Sequence, residues 1–390
     1  MVQLALDGVR ITDLSWQIAG PTCTRYLGLM GAEVIRIESA KRPDPYREQP
    51  INHFINQSKK SVTLNLALPR GTELAKKIVG LSDVVMENFA CGVIERLGLG
   101  YGELRRINPD IIMLSSSGLG HSGPDMNQVA YGTLIQCYTG WSSLQAYPGR
   151  NPEIGGIWTD PVVGMLEVFL INAALHRRWE QGEGQYIDLS MAEATAMLLP
   201  DIIMDYSMNG RVQEPLGNQH PFHSPHGNYP CRGDDQWIGI AVTDDNQWAN
   251  LCRTIGRSDL LGEPRFSDAR ARWVYREDLD RILAAATKDH DSQELAARLQ
   301  QAGVPAGPTL AVDQIWTNPH LRERGFFQRF QEQDGSSREL PGVPWRLDGI
   351  ADTNMFAAPL RGQHNAYVFE ELLGLSRAEV EALVAERVIY

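Results

Sequence analysis

Gly8-Val-Arg-Ile-Thr-Asp-Leu14, then residues 20–30, then Glu33-Val-Ile-Arg-Ile-Glu38 decide the fold of this chain. The first segment alternates apolar residues and ends in a turn, so it reads as a strand; the second has helical periodicity, and the third is a short strand. The rhythm continues downstream. Residues 69–81 predict a helix opened by proline, 84–87 a strand, 101–107 a helix and 111–115 a buried strand. Such alternation calls for an α/β class with a parallel sheet covered by helices. Ligands of such sheets gather outside the carboxyl ends of the strands, here the turns 15–21, 38–42 and 88–92. No G-x-G-x-x-G occurs, so nothing marks a dinucleotide site.

Farther along, helices over 166–179 and 192–208 flank 182–190, a turn and a short strand. Residues 209–227, rich in Asn, Gln, His, Pro and Gly, read as a linker or active-site loop. A hairpin over 228–242, turning at Gly233-Asp234-Asp235, and helices over 245–255, 276–287 and 291–302 make a smaller domain. The expected organisation is a large domain over 1–208, the linker 209–227, a small domain over 228–315 and a return to the large domain over 316–390. That return comprises 316–349 and an amphipathic helix over 377–387.

The chain has 390 residues, 43% of them hydrophobic and 22% charged, which fits an ordinary globular protein of two domains. Its longest apolar stretches are broken by Glu167 and by Pro200 with Asp201, so neither is a membrane span. No basic segment followed by an apolar one opens the chain, so no secretory signal is expected. Five scattered cysteines (Cys23, Cys91, Cys137, Cys231, Cys252) without a C-x-x-C pair predict reduced thiols, a cytoplasmic location and no metal site. A net charge of −12 argues against nucleic acid as a partner. A small polyanion needs only a local basic patch, and Lys41, Arg42, Arg47, Lys59, Lys60, Arg96, Arg105 and Arg106 all fall in the first third.

Gly155-Gly-Ile-Trp-Thr-Asp160-Pro-Val-Val-Gly-Met165 sets one carboxylate at the entrance to an apolar helix. Asp160 can be an N-cap, with Pro161 at the first helical position. It can equally be a nucleophile, kept ionised by backbone N–H groups and the helix dipole while glycines admit a bulky acyl group. The segment alone leaves both readings open.

Five other segments occur around it: Asp13-Leu-Ser-Trp-Gln-Ile-Ala-Gly-Pro21, Gly31-Ala-Glu-Val-Ile-Arg-Ile-Glu38, Asp83-Val-Val-Met-Glu-Asn-Phe89, Gly184-Gln-Tyr-Ile-Asp-Leu-Ser-Met191 and Ala302-Gly-Val-Pro-Ala-Gly-Pro308. As an ordered set running from about Leu6 to the C-terminus, they resemble class III CoA-transferases of the formyl-CoA and carnitine type. The resemblance implies a Rossmann-like large domain with an inserted smaller α+β domain, in an interlinked, ring-like homodimer whose sites draw on both subunits. It implies an acyl-CoA and a carboxylic acid as substrates, coenzyme A as substrate and product rather than a tightly bound cofactor, and no membrane partner.

In that family the aspartate four residues before a glycine is the acyl-accepting nucleophile. Here these are Asp160 and Gly164, with Thr159 where the family has glycine. A carboxylate nucleophile exchanges one thioester for another through a mixed anhydride and an aspartyl-CoA thioester. The tetrahedral oxyanions call for N–H donors, with Gly132, Gly155, Gly156 and Gly227 as oxyanion or lid candidates. Some relatives carry a tetraglycine lid where this chain has Pro221-Phe-His-Ser-Pro-His-Gly227, so His223 and His226 are lid candidates too. For CoA contacts the resemblance implies Gln17, Ile18, Ala19, Leu64, Asn88, Phe89, Val93, Arg96 and Tyr131. The family's basic residue after the second strand is Ser39 here, which points to Lys41 or Arg42 in its place; a lysine of some relatives is Val129.

Two rival functions remain. An α-methylacyl-CoA racemase of the same fold pairs a histidine with the family aspartate for proton transfer. This chain has Tyr131 at that position, a poor base at neutral pH, and His121 lies ten residues away. A non-catalytic acyl-CoA-binding protein would keep Asn88 and Arg96 but would not need Asp160.

Overall fold

The computed structural model describes residues 4–348 and 355–390. Six strands form one sheet: β1 (Arg10–Asp13), β2 (Glu33–Glu38), β3 (Lys59–Thr63), β4 (Val84–Glu87), β5 (Ile112–Ser117) and β6 (Tyr186–Ser190), in the order β3-β2-β1-β4-β5-β6. Every neighbouring pair is parallel; Ile11 lies beside Val34 on one side and Val84 on the other. The α/β expectation holds. The central strands are buried on both faces, and their side chains alternate between two cores. Val85, Ile35 and Met113 join Leu74, Ile78 and Phe369 on one face, while Val84, Met86, Ile112 and Leu114 join Leu27, Ile171 and Leu175 on the other. Each fully buried aliphatic side chain stabilises the fold by roughly 1.5–3 kcal/mol.

Three local readings are corrected. β3 was not expected as a strand because Lys59-Lys-Ser-Val-Thr63 shows no apolar period; Lys59 is nonetheless fully buried, held by Asp13. The helix expected over 192–208 is two, Met191–Ala196 and Pro200–Asn209. Pro200 has no N–H to continue the first helix and drives Leu199 out of helical geometry, to φ −116° and ψ 41°. The helix expected from 166 begins about two turns earlier, as Thr159–Gln181.

The chain divides into two compact units. One comprises residues 1–141, 154–211 and 322–390, and contains the six-stranded sheet and a hairpin of β10 (Phe327–Gln331) and β11 (Ser337–Pro341). Gly349, the last residue of the segment read as returning to the large domain, lies outside the described residues, as do 350–354.

The other unit comprises residues 142–153 and 212–321. It has an antiparallel sheet of β7 (His226–Pro230), β8 (Trp237–Ala241) and β9 (Ala306–Thr309), packed by helices Asp245–Thr254, Arg276–Thr287 and Ser292–Gln301 over Ile238, Leu251, Phe266, Leu283 and Leu299. His226 and Gly227, read as loop, are strand residues; Gly227 pairs with Ile240. Among the described residues no helix is long and apolar enough to cross a membrane.

Candidate active site

Strand order reverses between β1 and β4, so a crevice opens where the chain leaves both strands in opposite directions. The turn after β1 is fastened residue by residue. The Ser15 N–H donates to Asp13 Oδ1 (2.9 Å), the Trp16 N–H to Asn88 Oδ1 (2.9 Å) and the Gln17 N–H to Asp44 Oδ2 (2.9 Å). Asn88 also returns a bond from Nδ2 to the Trp16 carbonyl (2.9 Å), tying the β1 and β4 turns together. These bonds hold Gln17 at φ +62°, a left-handed conformation that costs a non-glycine residue energy and persists only where the surroundings enforce it.

Asp13 beneath this turn is fully buried. Burial alone would raise its pKa, but Lys59, Arg36, Ser15 and Thr24 overcome that and hold it below the usual carboxylate range. Burial pulls the Lys59 ammonium down to about 8 against the support of Asp13. The ion pair is the state that fits the geometry, because Lys59 Nζ donates to Asp13 Oδ2 (3.2 Å), the Pro21 carbonyl (2.9 Å) and Asn56 Oδ1 (3.0 Å).

A cavity of about 560 Å³ lies over these turns, a size suited to a cofactor-like ligand. It brings together Gln17, Ala19, Lys41, Arg42, Leu64, Asn88, Phe89, Val93 and Tyr131 with Asp160. Trp16 stands edge-on to Phe89 (6.2 Å) inside it, and the Arg42 guanidinium lies 5.3 Å from the Trp16 ring. Ile18 and Arg96 do not line it: Ile18 turns into the core and Arg96 is exposed on the short helix Val93–Arg96. Of the eight basic candidates in the first third, Lys41 and Arg42 line the cavity, whereas Lys59 is held by Asp13 and Arg47 by Glu38 (3.0 Å).

Asp160 sits within the first turn of its helix, and Trp158 occupies the N-cap position without a side-chain cap bond. The N-cap reading is therefore corrected. So is the direction expected for its ionisation: burial raises its pKa to about 6, only partly offset by its own backbone N–H. The carboxylate is still mostly ionised at neutral pH. It packs where Gly132 opens the helix Gly132–Tyr138; a Cβ on Gly132 would lie 1.7 Å from Asp160 Oδ2. Gly164, one turn beyond Asp160, serves helix packing, since a Cβ there would meet the Ala19 carbonyl at 2.7 Å.

One residue of this site went unread in the sequence. Gln136 is fully buried, and its side-chain amide accepts from the Gly155 N–H (3.0 Å) and donates to the Gly156 carbonyl (2.8 Å) and Thr159 Oγ1 (3.0 Å). It thus clamps the turn that delivers Asp160. The available signal was its position four residues after Gly132, on the same face of the helix. The bond to Gln136 also engages the Gly155 N–H, so Gly155 has no free donor for an oxyanion. Gly156 offers only its carbonyl to this clamp, and Gly227 belongs to the other unit.

A Rossmann-ordered parallel sheet with a half-buried carboxylate at the edge of a cofactor-sized cavity defines an α/β protein with a ligand site at the switch point of its sheet. The chain belongs to CoA-transferase family III, whose model matches residues 6–365. It is a CoA-transferase, an enzyme whose substrates are CoA thioesters. Similar proteins include the succinyl-CoA–D-citramalate CoA-transferase of Chloroflexus aurantiacus, 32% identical over 98% of each chain. The succinate–glutarate CoA-transferase of Agrobacterium fabrum is 29% identical over 95% of this chain and 96% of that one. The crystal structure of a CaiB/BaiF family protein from Brucella suis superposes with a TM-score of 0.86 at 31% identity, covering 95% of this chain and 100% of the other.

Proposed function

We propose that this enzyme moves CoA from an acyl-CoA to a carboxylic acid with Asp160 as nucleophile. One observation carries the reading: a partly exposed carboxylate, ionised above about pH 6, lines the cavity and rests against Gly132, where any side chain would displace it. Asp160 attacks the donor thioester; the C–S bond breaks, and CoA leaves as thiolate from a mixed anhydride. The thiolate then attacks the Asp160 carbonyl and releases the donor acid, leaving an aspartyl-CoA thioester. The acceptor carboxylate attacks this thioester and displaces CoA, which attacks the acceptor's acyl carbon and frees Asp160. No net proton is consumed. The cavity residues from Gln17 to Tyr131 hold CoA, with Lys41 and Arg42 facing its phosphates. The names of the relatives make succinyl-CoA the first donor to try and short dicarboxylic acids the first acceptors.

The working form is an interlinked homodimer, with the unit containing 212–321 as the small domain that completes the partner's site. Supporting this, the helix Pro200–Asn209 buries none of its residues yet presents Ile203, Met204, Tyr206 and Met208. Racemisation lacks its second base: His121 packs 3.9 Å from Glu87 and does not line the cavity.

Asp160→Ala tests the reading. Transfer should fall by about 10³-fold or more while CoA binding and melting temperature stay close to wild type. Hydroxylamine or borohydride added with acyl-CoA should modify Asp160 in the wild-type enzyme. Wild-type-like turnover by the variant would falsify the mechanism.

A further inference from the structure

Glu167 follows Asp160 by seven residues, two turns along the same face of the same helix. Its side chain has no exposure, and neither carboxylate oxygen makes a hydrogen bond of ordinary geometry. Ser116 faces it from β5; this hydroxyl is likewise without a hydrogen-bond partner, and Ser116 lines the Asp160 cavity. The other charged or titratable groups acting on Glu167 are Asp160 on its own helix, Asp13 on β1 and Cys23 on the helix Ala19–Leu29. None of them is a cation, and Lys59 is held by Asp13. Burial therefore pushes the Glu167 carboxyl up to about 8; Ser116 favours its anion, but the charges of Asp160 and Asp13 act with burial.

A neutral and an ionised Glu167 make different demands on Ser116. The neutral acid can donate its proton to Ser116 Oγ, which leaves the Ser116 proton free to point into the cavity. The anion would draw that proton toward itself and repel the Asp160 carboxylate. We infer that Glu167 is a positioning residue that works as the neutral acid, turning the Ser116 hydroxyl toward the cavity and leaving Asp160 to carry the negative charge alone. The inference rests on Asp160 being the nucleophile. Two acids pushed apart in this way bound an operating window, with Asp160 ionised and Glu167 protonated, from about pH 6 to about pH 8.

The test is the pH dependence of kcat for CoA transfer from succinyl-CoA to a dicarboxylic acid. Wild type should give a bell, and Glu167→Gln should keep kcat within a few-fold at neutral pH, with KM unchanged, and lose the alkaline limb. Ser116→Ala should lower kcat about 10-fold at neutral pH, by less as pH rises, and so flatten the same limb. If the limb persists in a transferring Glu167→Gln enzyme, the inference fails alone; absence of transfer in wild type breaks the nucleophile reading itself. Should Glu167→Gln not fold, infrared difference spectra of an otherwise intact Glu87→Gln enzyme decide the charge state, Glu87 being another buried acid raised to about 7. A protonated carboxyl band that vanishes as pH passes about 8 supports the inference, and its absence at neutral pH overturns it.

Discussion

Asp13 and Glu167 are both carboxyls with zero exposure, close enough to act on each other, yet they carry opposite charge states. Asp13 accepts from Ser15, Thr24 and Lys59 and stays an anion. Glu167 has no comparable donors and stays neutral. Burial penalises both ions; what differs is whether the fold supplies donors for the charge. The anion fixes the turn under the cavity, while the neutral acid leaves Asp160 as the charged member of its pair.

The sharpest way to break this contrast is Lys59→Met, which removes the cation from Asp13. An unpaired buried charge should destabilise the protein by about 3–5 kcal/mol, read as a lower denaturation midpoint. The pH dependence should change sign as well. In wild type the Asp13 pKa is lowered, so its contribution is present above the ordinary carboxylate value and lost as pH falls through the folded one. Asp160 and Glu167 are raised, so their contributions are complete in acid and lost as pH rises through about 6 and about 8. In Lys59→Met, Asp13 should join the second pattern. A variant that kept wild-type acid sensitivity would show that Lys59 does not set the charge.

Gly164→Ala comes next, because its Cβ meets a backbone oxygen that cannot swing aside. It should cost about 1–3 kcal/mol, and kcat should fall as the Asp160 helix shifts. An unchanged melting curve would rule out the close approach. Gln136→Ala should cost about 1–3 kcal/mol by leaving the Gly155 N–H and Gly156 carbonyl without partners. Its effect on activity should fall on kcat rather than on KM for CoA, since the clamp positions Asp160; a pure KM effect would place Gln136 in CoA binding instead. The smallest effect on stability belongs to Arg42→Ala, within about 0.5 kcal/mol, while KM for the acyl-CoA rises several-fold. An unaltered KM would remove Arg42 from the phosphate site.

Much of the sheet was legible because β1, β2, β4 and β5 carry apolar residues on both faces, a pattern that local sequence displays. β3 was not legible: Lys59 is a core residue only because Asp13, far away in sequence, faces it. The turns at the strand ends were legible as cavity-facing from the parallel topology, and nine of the CoA-contact candidates line one cavity. Ile18 was misplaced because neighbouring residues in a turn point in opposite directions. Gln136 was missed because its three bonds reach back to residues 155–159, a relation that periodicity cannot express.

By itself the sequence determined the alternation of strands and helices, the identity of the family, and the presence of an aspartate at a helix entrance. These follow from apolar period and from short ordered segments, which are properties of neighbouring residues. The tertiary structure alone decided that Asp160 is not a cap, that burial raises rather than lowers its pKa, and that Asp13 is charged where Glu167 is neutral. Charge state depends on distance to donors and on exclusion of water, and both are set only when distant segments pack together.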